Sequence, residues 1–72
     1  MKIIEVFKTN VHSIDEALSL VALIQCAFLE VKANFDLDDC DRILRVEGCM
    51  EVIGKIPLFM KEKGYECFAL PD

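Results

Sequence analysis

Tryptophan is absent from the 72 residues, tyrosine and histidine occur once each, and glycine and proline number only three and two. So few chain breakers, beside 54% apolar residues, exclude a collagen-like repeat, a low-complexity linker and a disordered tail. Cations are scarce as well: 8 Lys and Arg stand against 13 Asp and Glu, for a net charge of −5. No basic stripe of the kind that neutralises phosphates runs along the chain, so nucleic acid is not expected as a partner. Long apolar runs are missing too. The longest, from Leu20 to Leu29, is interrupted by Gln25 and reaches about half of the ~20 residues that a bilayer span requires. No membrane partner is expected.

The four cysteines, Cys26, Cys40, Cys49 and Cys67, include no Cys-x-x-Cys pair, the spacing of zinc fingers and thioredoxin-type redox sites. At the start, Met1-Lys2-Ile3-Ile4-Glu5 places a carboxylate where a secretory apolar core would run. Free thiols and a cytoplasmic location are the expectation. There is no Ser/His/Asp set, glycine-rich phosphate loop or His-x-x-x-His spacing, so an enzyme is not expected. Cofactors are expected to be none.

What is present is a clear alternation of periods. Lys2–Lys8 is rich in β-branched residues, with Ile4 and Val6 on one face and Ile3, Glu5 and Phe7 on the other. Apolar residues on both faces predict a strand inside a sheet. A polar loop follows. Ser13 and Glu16 then form a Ser-x-x-Glu capping box. The helix predicted over 14–28 carries Ile14, Ala17, Leu18, Val21, Ile24, Gln25 and Phe28 on one face and Leu23 on the outer side. From Val31 the period becomes two, with Ala33, Phe35 and Leu37 alternating against Lys32, Asn34 and Asp36. Residues 38–41 read as a polar hairpin turn, and 42–47 as a third strand with Leu44 and Val46 inward. Gly48 reads as a strand breaker. A second helix is predicted over 51–63, with Val52, Ile56, Phe59 and Met60 near one face and a disturbance at Pro57. Gly64 is the expected helix stop, and 65–70 a last short strand containing Cys67 as a small core residue.

The order βαββαβ over residues 1–72, as a single domain, resembles the ferredoxin-like α+β fold, a two-layer sandwich. It pairs a four-stranded antiparallel sheet with two helices on one face. More narrowly, with Gly64-Tyr65 before the last strand, the chain resembles the heavy-metal-associated domain of copper chaperones and metal-pumping ATPases. In that family the first loop reads Met-Thr-Cys-x-x-Cys; the equivalent stretch here is Lys8-Thr9-Asn10-Val11-His12-Ser13. Thr9 matches, while Asn10 and Ser13 stand where the two thiolates would be. Cu(I) is soft and an amide and a hydroxyl do not replace two thiolates. The resemblance therefore implies the fold and a degenerate metal site, with no metal ligand carried over.

The candidate ligand-binding residues are Lys8, Thr9, Asn10, His12 and Ser13, gathered before a helix N-terminus, where free N–H groups and the dipole favour an anion. The acidic run Asp36–Asp41 has Glu47 at the twelfth position of a calcium loop. It lacks the glycine at the sixth and is flanked by strands, so it reads as a solvated hairpin tip. The leading expectation is a non-catalytic interaction module acting on a protein partner or by self-association, with Ile3, Phe7 and Leu23 as left-over apolar residues. The alternatives are soft-metal handling by a non-standard Cys/His/Met site, such as Cys49 with Met50, and small-anion binding at the first loop.

Overall fold

The computed structural model describes residues 1–38 and 42–70. The elements are β1 (Lys2–Thr9), α1 (Ile14–Ala27), β2 (Lys32–Asp36), β3 (Ile43–Cys49), α2 (Met50–Ile53), α3 (Ile56–Glu62) and β4 (Cys67–Ala69). The strands form one sheet in the order β2-β3-β1-β4, with every neighbouring pair antiparallel. β1 therefore lies inside the sheet, as its two apolar faces predict.

Strand parity sorts the side chains into two faces. Registers pair Phe7 with Leu44 and with Ala69, and Ala33 with Val46. These residues share the face covered by the helices. Phe7, Leu44 and Val46 join Ile24, Ile56 and Met60 in one core cluster, each at 2% exposure or less. Ile4, Val6, Lys8, Arg45 and Phe68 alternate onto the opposite face, which no helix covers. Phe7 is thus a core residue and Ile3 is half-buried against the core, so neither is left over for a partner. Leu23 is exposed, as expected.

The second helical stretch is two helices rather than one, so the order is β-α-β-β-α-α-β. A continuous helix would need the amide of residue 57 to bond the Ile53 carbonyl, and Pro57 has none. Gly54 and Lys55 turn the chain through bonds to Met50 and Val52, and α3 starts afresh with Pro57 in its first turn, where a missing N–H costs nothing. α3 ends as expected. Gly64 adopts φ +92°, its amide bonds the Lys61 carbonyl at 2.9 Å, and the Tyr65 amide bonds Met60 at 3.0 Å. That bond pair is a Schellman stop.

The buried stripe of α1 is also turned from its expected phase. Ala17, Leu20 and Ile24 are buried, whereas Ile14 and Leu18 are 68% and 64% exposed. Apolar residues occupy so much of this helix that periodicity alone does not fix its rotation. The contact with β2 does: the Gln25 side-chain oxygen accepts the Ala33 amide at 3.0 Å.

Gly48 does not break β3 but pairs with Ile3 inside it. A Cβ there would stand 3.0 Å from Val31 Cγ2, so the glycine lets Val31 close over the sheet. Gly48→Ala should cost about 1–3 kcal/mol through overpacking. Urea denaturation of the single variant and of the pair with Val31→Ala checks the cause. An unrelieved loss in the double variant would exclude the Val31 contact.

Candidate functional site

The loop between β1 and α1 contains the candidate residues, and each can be followed to its partners. Thr9 is buried at the end of β1; its hydroxyl donates to the Arg42 carbonyl at 2.6 Å and accepts the Val11 amide at 3.3 Å. This bend drives Val11, fully buried, into the core. The Asn10 side-chain oxygen accepts the Glu66 amide at 2.9 Å, tying the loop to the approach to β4. Ser13 caps α1 by accepting the Glu16 amide at 3.0 Å. His12 is exposed. Lys8, exposed, alternates onto the helix-free face beside Ile43 and Phe68. The side-chain oxygens of Thr9, Asn10 and Ser13 are thus engaged in building the loop, and Lys8 belongs to a different surface from the helix N-terminus.

The capping box is completed differently from its sequence pattern. Instead of returning to Ser13, the Glu16 carboxylate accepts the Tyr65 hydroxyl at 2.6 Å. That bond and the charge beside it push the Tyr65 phenol above its ordinary value of 10.0. Tyr65 is the only tyrosine, so ultraviolet titration near 295 nm reports it alone. Its midpoint should lie above 10.0 and fall back toward it in Glu16→Gln. Because the fold favours the neutral phenol, this contribution to stability is present below pH 10 and lost as the pH rises through the folded value. An unmoved midpoint in Glu16→Gln would remove the carboxylate as the cause.

No protein-family model, curated protein or solved structure matches this chain. The functional reading therefore rests on geometry.

Soft-metal candidates are spread apart. Cys26 lies exposed on α1, Cys49 exposed at the end of β3, and Cys67 buried on β4. Cys40 lies outside the described residues. Cys49 ends β3 and Met50 opens α2, both exposed, with no other thiol on either element. Among the described residues no group of three or more His, Cys, Asp or Glu side chains gathers as a metal cage. No helix of the described residues is long and apolar enough to cross a membrane.

Two surface grooves, invisible in the sequence, flank the sheet. One of about 480 Å³ lies between α1 and β2, floored by Ile14, Leu18, Val21, Phe35 and Leu37. The other, about 440 Å³, runs between α3 and β4 beside Pro57, Leu58, Lys61 and Phe68. Leu58 and Phe68, 63% and 60% exposed, bound this second groove on its two sides. The only sequence signals are an apolar residue on the polar side of a helix and a phenylalanine out of phase with Cys67 and Ala69.

Proposed function

We propose that this chain is a small non-catalytic interaction module on a ferredoxin-like βαββαβ plan, a relative in shape of the heavy-metal-associated domain with its thiolate pair lost. The strand order β2-β3-β1-β4 supports the plan, with α2 and α3 together standing for the second helix. The observation that carries the function is the helix-free face of the sheet, on which Ile4 of β1 and Phe68 of β4 stand 59% and 60% exposed. Large apolar side chains exposed on an uncovered sheet face favour a macromolecular partner over a small ligand. The loop supports this too, since Asn10 and Ser13, at the positions of the family's two thiolates, use their oxygens to join Glu66 and cap α1.

Native mass spectrometry of protein made inside cells and purified without chelator tests the reading. The expected result is the bare polypeptide mass, as monomer or dimer. A stoichiometric copurified metal would overturn it in favour of soft-metal handling. A bound phosphate that disappears in Lys8→Ala would overturn it in favour of anion binding at the first loop.

A further inference from the structure

The two edges of the sheet differ in how their outward backbone groups are satisfied. In an antiparallel ladder, alternate residues bond to the neighbour and the residues between point away from it. On β2 the outward amides are those of Val31, Ala33 and Phe35. The first bonds the Phe28 carbonyl at 3.0 Å and the second the Gln25 side chain at 3.0 Å. That edge is closed over most of its length. On the other side, the Leu70 amide bonds the Val6 carbonyl at 2.9 Å and the Glu66 amide bonds Asn10. Even-numbered residues therefore face β1, and Cys67 and Ala69 present their N–H and C=O groups outward. Among the described residues nothing accepts or donates there. No proline, bulge or side chain guards β4 over 67–69, and apolar Leu58 and Phe68 flank it on the two faces. An unguarded edge with apolar flanks is a template for another strand.

We propose that β4 pairs antiparallel with β4 of a second copy of this chain, about a two-fold axis passing by Phe68. The inference rests on the interaction-module reading and names its partner. The open groups are self-complementary under that symmetry. Cys67 of one chain lies opposite Ala69 of the other, and each such pair exchanges two hydrogen bonds, so four bonds close the junction. Phe68 then meets its own copy on the helix-free face as a directly opposed aromatic pair. Leu58 of α3 meets the second chain across the groove on the helix side. The short strand suits this arrangement, because its own three residues span the whole ladder and the two sheets join into one of eight strands. Three residues on each side make a short junction, so the dimer is weak, assembling at about micromolar to millimolar concentration.

Sedimentation velocity over roughly 10 µM to 1 mM, the range of weak association, reads the assembly directly. The wild-type chain should pass from monomer to dimer across the series. Ala69→Pro removes an outward N–H without touching the β1 ladder, a substitution that an edge strand accepts. Phe68→Lys puts like charges on the axis. Each should weaken dimerisation at least about tenfold, with circular dichroism and melting temperature confirming a folded monomer. A wild-type chain that stays monomeric at 1 mM with bare mass would overturn the second copy while leaving the interaction module a different partner. Dimerisation undiminished in both folded variants would also overturn it. A copurified metal would instead overturn the reading beneath it.

Discussion

Leu44→Ala should remove most of the stability of this protein. Leu44 is fully buried, paired with Phe7 on β1 and Phe35 on β2, at the centre of the single core cluster. Cutting a buried leucine to alanine costs about 2–5 kcal/mol, the lost transfer energy plus the cavity left behind. A chain of this length has roughly 4–10 kcal/mol in total, and often less. The expected result is a urea midpoint lowered by half or more with an unchanged slope, since the same surface is exposed on unfolding. Leu58→Ala is the control. Its side chain is 63% exposed, so the change should stay within about 0.5 kcal/mol. If the two variants melted alike, the assignment of Leu44 to the centre of the core would be wrong.

Alkylation of the native protein should divide the thiols by a wide margin. Cys26 and Cys49 are exposed, whereas Cys67 is 8% exposed and burial pushes its thiol up to about 12 from 9.0. At pH 8 the Cys67 thiol is therefore almost wholly protonated, and its thiolate far rarer than that of an unperturbed cysteine. Iodoacetamide followed by peptide mass spectrometry should find Cys26 and Cys49 modified while Cys67 waits for the chain to open. Equal rates at all three would contradict the packing around β4. The same burial has a pH consequence. The fold favours the neutral thiol, so this contribution is intact below pH 9 and lost as the pH rises toward 12. Between pH 7 and 10.5 the wild-type protein should lose more stability than Cys67→Ala.

Much of the frame was legible because its signals are local. Alternation placed Leu44 and Val46 inward, apolar residues on both faces put β1 inside the sheet, and Ser13 and Gly64 marked the ends of helices through their own backbone chemistry. The readings that failed depend on distant neighbours. Gly48 resembles a breaker until Val31 is seen pressed against it. The phase of α1 is set by Ala33, and the split of the second helix by which turn Pro57 enters. For the candidate loop, the residue types were recognisable but their occupation was not. Thr9 bonds a carbonyl 33 positions away and Asn10 an amide 56 positions away. No pattern within the loop encodes those partners. The open edge of β4 follows from strand order, which only the folded chain defines.

The position of β1 between β3 and β4 has a consequence for synthesis. β1 cannot be covered on one side until β4, almost sixty residues further along, has left the ribosome. At 5–20 residues per second that wait lasts about 3–12 s, far longer than a hairpin of β2 and β3 takes to form. During it the Val6 carbonyl that will accept the Leu70 amide has no β4 to bond. Neighbouring nascent chains on one message could meet at that stage and exchange β4, that of one completing the sheet of another. The result would be an intertwined dimer whose formation depends on how closely ribosomes are spaced rather than on the final protein concentration.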